Sequence, residues 1–126
     1  MLSDASIVAF VAVSDGIRAK AFYQGLLGLT LLDEDTQSLM LLSHGTTLRV
    51  QILPTVQPPP YTVLGWTVPD IVSRVRRLAE RGVQFERFSG MDQDELGIWR
   101  TPHRALVAWF RDPDGNLLSL TELPSA

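Results

Sequence analysis

The sequence predicts an α+β chain built from two βαβββ modules in tandem, and three observations carry that reading. The first is Arg104 to Glu122, RALVAWFRDPDGNLLSLTE, in which two apolar, strand-like runs flank the turn Asp112-Pro113-Asp114-Gly115-Asn116. Pro113 presets φ for a turn corner, Gly115 supplies a positive φ, and the Asp112 carboxylate can accept from backbone N–H groups just ahead. The second is a repeated plan: Ile7 to Leu29 reads as strand, cap and helix closed by glycine, and Val63 to Phe88 repeats it. The third is Pro54 to Pro60, PTVQPPP, which cannot supply a run of ladder donors and so reads as a linker.

In the first module, Ile7, Ala9, Val11 and Val13 alternate with Val8, Phe10 and Ala12. Both faces of that strand are apolar, which predicts a buried, central position in its sheet. Ser14 or Asp15 then caps a helix whose Ala19, Phe22 and Leu26 recur at helical spacing, while Arg18, Lys20 and Gln24 point away. Tyr23 anchors this helix and Gly28 ends it. Leu29 to Asp35 and Ser38 to Ser43 follow as short strands, and His44-Gly45 turns the chain into Thr46 to Leu53. The module spans about residues 5–53, with the linker at 54–60, a second module at about 61–123, and one domain in all, 1–126.

The second helix opens at Pro69-Asp70, a proline suited to a first turn with an early carboxylate, and Gly82 terminates it. Ile71, Val75, Leu78 and Ala79 form its buried stripe. Between the halves, Asp15 aligns with Asp70, and Gly45 to Gln51 aligns with Gly115 to Thr121. The surplus of the second module falls in Ser89 to His103, SGMDQDELGIWRTPH, a polar, acidic, Trp-bearing segment that is the best lid candidate.

A chain of 126 residues is one domain's worth and can bury a real core. Apolar content of 45% with 20% charged residues is ordinary for a soluble globular protein, and no apolar run approaches the roughly 20 residues of a membrane span. The N-terminus lacks the order of a signal peptide, so the expectation is a cytoplasmic protein with no membrane partner. The absence of cysteine removes disulfides, thiolate metal sites and cysteine nucleophiles together. A formal charge of −3 argues against a nucleic-acid partner, and Arg74, Arg76, Arg77 and Arg81 read as the solvated face of the second helix.

A strand with a Ser14-Asp15 cap, a helix carrying Ala21-Phe22-Tyr23, a Leu27-Gly28-Leu29 exit and a closing DPDGN hairpin together resemble the vicinal oxygen chelate superfamily. That superfamily includes glyoxalase I, extradiol dioxygenases and bleomycin-resistance proteins, and the resemblance covers nearly the whole chain. It implies that the two modules curl a mixed sheet around a cleft. It also implies a homodimer, with the cleft either within a chain or across the interface. The superfamily spans lyases, isomerases, oxygenases and pure binders, so the fold does not fix the activity.

The resemblance further implies a divalent metal held by one side chain from the first and last strand of each module. Those positions fall at Val8, seven before Asp15; Val63, seven before Asp70; Arg49; and Ser119, seven after Asp112. Valine has no lone pair, arginine repels a cation, and one neutral hydroxyl is a poor ligand. A frame slip of one does not help, since Ile7, Ala9, Leu64, Leu118 and Leu120 are apolar too. The expectation is therefore no metal and no cofactor, and chelate chemistry without its Lewis acid.

Parity then assigns the cleft. Phe10, Ala12, Arg49, Gln51, Gly65, Thr67, Leu117, Ser119 and Thr121 share the face of the metal positions, and Val50, Ile52, Trp66, Val68, Leu118 and Leu120 face the helices. This is an apolar pocket with a few polar groups. Arg49, its only charge, either meets a ligand carboxylate or phosphate or pairs with Asp94, Glu95 or Glu122. Trp99 either packs the loop down or stacks on a ligand. His103 reads as a surface histidine or as a group swinging over the cleft mouth, His44 as a turn residue, and Trp109 as core. Asp92, Asp94 and Glu95 with His103 offer a nonstandard metal set, though solvated loop carboxylates are the plainer reading. The candidate ligand-binding set is Phe10, Arg49, Gln51, Thr67, Glu95, Trp99, His103, Ser119 and Thr121.

Three functions fit these residues. One is a metal-free, bleomycin-resistance-like binder of a small, partly apolar, anionic or hydrogen-bonding molecule. Another is an enzyme using Arg49 electrostatically, with Glu95, His103 or Glu122 as general base. The third is a metal-dependent glyoxalase-like lyase or dioxygenase working through other ligands, which the four positions disfavour. Whether the chain is an enzyme stays open between them.

Overall fold

Asp15 and Asp70 open the two helices in the same way. Each has an extended backbone, and each carboxylate accepts from the N–H three residues on, Arg18 N at 3.1 Å and Ser73 N at 3.2 Å. A short acceptor at this position satisfies one of the N–H groups a helix start leaves unpaired. The computed structural model describes residues 1–125 and divides into two compact units, Met1–Gln57 and Pro58 onward. Each runs strand, helix, three strands.

In the first unit β1 (Val8–Val13) leads to α1 (Gly16–Lys20), which continues as a π-helical segment, Ala21–Leu26, before β2 (Thr30–Glu34), β3 (Ser38–Ser43) and β4 (Thr46–Ile52). In the π segment Leu27 N donates to Phe22 O five residues back, at 2.9 Å. The sheet order is β1-β4-β3-β2, with β1 parallel to β4 and the other pairs antiparallel. The β3–β4 turn is made by His44 and Gly45, with φ of 44° and 85°, the paired positive values that a two-residue hairpin turn favours. Val11, Val13, Leu39, Leu41, Leu48 and Val50 are buried under Ala19 and Tyr23 of the helical segment.

The sequence placed β1 centrally with both faces buried. In its sheet β1 is instead an edge strand, and Val8 and Phe10 are 44% and 52% exposed. An apolar run by itself does not separate a strand covered on both sides from one that turns a hydrophobic face away from its own helix.

The second unit repeats the order with β5 (Thr62–Thr67), α2 (Ile71–Glu80), β6 (Trp99–Arg100), β7 (Leu106–Arg111) and β8 (Leu117–Glu122), in sheet order β5-β8-β7-β6. Again the first strand is parallel to the last. Ile71 and Val75 of α2 are buried with Ala108, Phe110, Leu118 and Leu120, and the Trp66 and Phe85 rings pack on Phe110. Ala79 is exposed rather than part of the stripe, because α2 ends one residue later and Arg81 already leaves helical geometry. Gly82, at φ 97°, closes it as expected. No helix among the described residues is long and apolar enough to cross a membrane.

Ser89 to His103, expected as a lid, is folded onto its own sheet. Trp99 and Arg100 pair with Val107 and Leu106, Ile98 is buried, and the Gln93 side chain makes three backbone bonds. Its amide oxygen accepts from Phe88 N at 2.8 Å, and its nitrogen donates to Glu86 O at 2.9 Å and Gly97 O at 2.8 Å. Composition signals a loop here, but a side chain that substitutes for a ladder partner is invisible in composition.

Candidate functional site

Each sheet has one face under its helix and one turned away from it, and strand register says which side chains share the second face. In the first unit the rows across the strands are Val8–Thr47–Leu42–Thr30, Phe10–Arg49–Met40–Asp33 and Ala12–Gln51–Ser38. Phe10, Arg49 and Gln51, all expected at the site, are therefore together, with Arg49 between an aromatic ring and a thioether. Arg49 is half-buried and has no hydrogen-bond or ion-pair partner among the described residues.

The carboxylates that the sequence offered Arg49 have local roles instead. Asp94 Oδ1 accepts from Leu96 N and Ile98 N, both at 2.9 Å, and Glu122 Oε1 accepts from Ile71 N at 2.9 Å at the start of α2. Glu95 lies exposed in the turn closed by Gly97 N donating to Asp94 O, and His103 lies exposed in the turn between β6 and β7. Neither stands on a strand of the face.

In the second unit the rows are Thr62–Leu117–Arg111, Gly65–Ser119–Trp109 and Thr67–Thr121–Val107–Trp99. Thr67, Ser119 and Thr121 share this face, and Trp99, placed by the sequence on a loop, joins them from β6. A Cβ at position 65 would come within 2.5 Å of Ser119 Oγ, so glycine leaves room there for that hydroxyl. Trp109, read from the sequence as core, stands on this face, half-buried, its Nε1 donating to Thr62 Oγ1 at 3.2 Å. The Phe88 ring meets it edge-on at 5.4 Å and the Trp99 ring lies 6.2 Å away at 33°.

Trp109, Phe88 and Met40 are the residues that sequence reasoning missed. For two of them the signal was available in the hairpin turns. Counting back from the DPDGN turn pairs Arg111 with Leu117 and hence Trp109 with Ser119, and counting back from His44-Gly45 pairs Met40 with Arg49.

The four positions where the fold family implies a metal do not suit one. Val8 and Arg49 share the face of the first sheet, Ser119 lies on that of the second, and Val63 is the extra residue at an irregularity in β5. Two hydrocarbons, a cation and a single hydroxyl are not a ligand set for a divalent ion. Among the described residues no group of three or more His, Cys, Asp or Glu converges, so Asp92, Asp94, Glu95 and His103 are not gathered into a substitute.

On the helix side of the first unit a groove of about 580 Å³ runs between the start of α1 and the β2–β3 hairpin, lined by Asp15, Ile17, Lys20, Glu34, Asp35 and Leu39. Its polar groups are occupied locally: Asp15 caps α1, Lys20 Nζ meets Glu34 Oε1 at 3.0 Å, and Asp35 accepts from Gln37 N and Ser38 N, both at 2.8 Å.

Comparison with known proteins agrees with this architecture. The family model described as Glyoxalase/Bleomycin resistance protein/Dioxygenase superfamily matches residues 6–120. Among solved structures, TnmS3, an antibiotic binding protein from Streptomyces sp. CB03234, is 29% identical over 98% of this chain and 99% of its own, with a TM-score of 0.73. A superfamily member from Sphaerobacter thermophilus DSM 20745 is 23% identical over 97% and 99%, at 0.74. Lactoylglutathione lyase from Agrobacterium tumefaciens, 16% identical over 94% and 93% with a TM-score of 0.73, shares the fold. No curated protein matches the sequence. The chain belongs to the glyoxalase/bleomycin resistance protein/dioxygenase superfamily.

Proposed function

We propose that this chain is a metal-independent small-molecule binding protein of the superfamily, a cytoplasmic homodimer that holds a partly apolar, anionic ligand. The observation that carries the reading is Arg49, a half-buried guanidinium between Phe10 and Met40 with no protein partner among the described residues. A cation in apolar surroundings is costly unless an anion completes it, and the planar guanidinium fits a carboxylate, sulfonate or phosphate. Similarity to an antibiotic binding protein supports binding as the role, and the poor donor set at Val8, Arg49, Val63 and Ser119 supports independence from metal.

The test compares two probes with the same aromatic skeleton, 8-anilinonaphthalene-1-sulfonate and uncharged N-phenyl-1-naphthylamine. Arg49→Leu is expected to weaken the sulfonate by roughly tenfold or more, as for a lost charge-assisted hydrogen bond, and to leave the uncharged probe within about twofold. Equal affinity of variant and parent for the sulfonate rules the anion site out.

A further inference from the structure

We infer that the open face of the second unit is a stacking site for a flat, conjugated ring that carries hydrogen-bonding atoms at its rim. This rests on the binding reading above and names the chemical class the second sheet selects. The observation is the conjunction of an aromatic wall with a floor lacking bulk. Trp109 is fixed in orientation by its Nε1 bond to Thr62 Oγ1 and by the edge-on ring of Phe88, and Trp99 leans beside it. In the same row lie Ser119 and then Gly65, which has no side chain.

Three hydroxyls border this floor: Ser119 beside Trp109, and Thr67 and Thr121 in the next row. None has a side-chain hydrogen-bond partner among the described residues. Hydroxyls spent in the fold would do nothing for a ligand. These retain their donor and acceptor capacity for one. An indole held at a fixed angle presents its π-face without a large entropic loss, so it favours a planar π-system over an aliphatic body of equal size. Saturated rings pucker and cannot lie as flat against the indole. Trp99 reaches the wall because Gln93 bonds Phe88 N, Glu86 O and Gly97 O, which makes Gln93 a positioning residue.

The experiment uses the full chain and two uncharged probes on one carbon skeleton, 2-naphthol and decahydro-2-naphthol, each titrated by calorimetry. Tryptophan emission is recorded alongside. We expect 2-naphthol to bind about fivefold or more tightly than its saturated counterpart and to quench tryptophan emission. Trp109→Leu should remove that preference and Trp109→Phe should retain most of it. Because Trp109→Leu can loosen the sheet, Trp99→Leu on the edge strand is measured too, with a smaller loss of preference expected, and thermal melts are recorded for every variant. Equal affinity of the parent protein for both probes overturns the stacking site while leaving the anion site at Arg49 untouched. A preference that survives in a folded Trp109→Leu variant overturns the assignment to this face, and binding of neither probe overturns the proposal as well.

Discussion

Asn116 donates from Nδ2 to Asp112 Oδ2 at 2.8 Å, and both residues are buried at the β7–β8 turn. The other carboxylate oxygen, Oδ1, accepts from Asp114 N at 3.0 Å and Asn116 N at 2.9 Å. A single side chain thus replaces the ladder partners that the turn lacks and sets the register that puts Trp109 beside Ser119. Asp112→Ala removes the acceptor of all three bonds. Urea unfolding should show a loss of about 2–4 kcal/mol, against less than about 0.5 for Asp92→Ala on the exposed loop.

The Gln93 amide holds the edge of the second sheet. Gln93→Leu preserves volume but leaves Phe88 N, Glu86 O and Gly97 O unpaired. Hydrogen exchange should accelerate across residues 86–99 and stay unchanged in β1 to β4, with a global cost of about 1–3 kcal/mol.

The start of α2 has two acceptors on different N–H groups, Asp70 on Ser73 N and Glu122 on Ile71 N. Asp70→Ala and Glu122→Ala should each cost about 0.5–2 kcal/mol, and the double variant should cost close to their sum, since neither bond substitutes for the other. A double variant no less stable than the worse single one contradicts this pairing.

Gly65 keeps the second face flat. Gly65→Ala brings a Cβ within 2.5 Å of Ser119 Oγ while its other neighbours stay at 3.4 Å or beyond. The variant should lose about 1–2 kcal/mol, and adding Ser119→Ala should recover most of it by removing the offending oxygen. Thermal melts of the two singles and the double decide it.

Much of this architecture was legible in the chain because turns and caps are local chemistry. Asp15 and Asp70, the His44-Gly45 turn and the DPDGN turn fix element boundaries within a few residues, and parity from them places Arg49 and Gln51 together and Ser119 and Thr121 together. What escaped depends on which partner a side chain or strand takes, which composition and periodicity do not show. The three backbone bonds of Gln93 turn an expected lid into sheet edge, and Trp109 is as apolar as any core residue although its register partner is Ser119. The edge position of β1 also escaped, since strand order is set by which neighbour wins the pairing and not by the strand's own residues.

Binding should proceed without a metal, because the family's four ligand positions hold Val8, Arg49, Val63 and Ser119. The most direct measurement combines elemental analysis of tag-free protein purified without chelator with titration of 8-anilinonaphthalene-1-sulfonate before and after EDTA. Zinc, nickel, manganese and iron should lie far below one equivalent, and the two titrations should superimpose. One retained equivalent of any of these metals, with probe affinity lost on EDTA treatment and restored by that metal, contradicts metal-free binding.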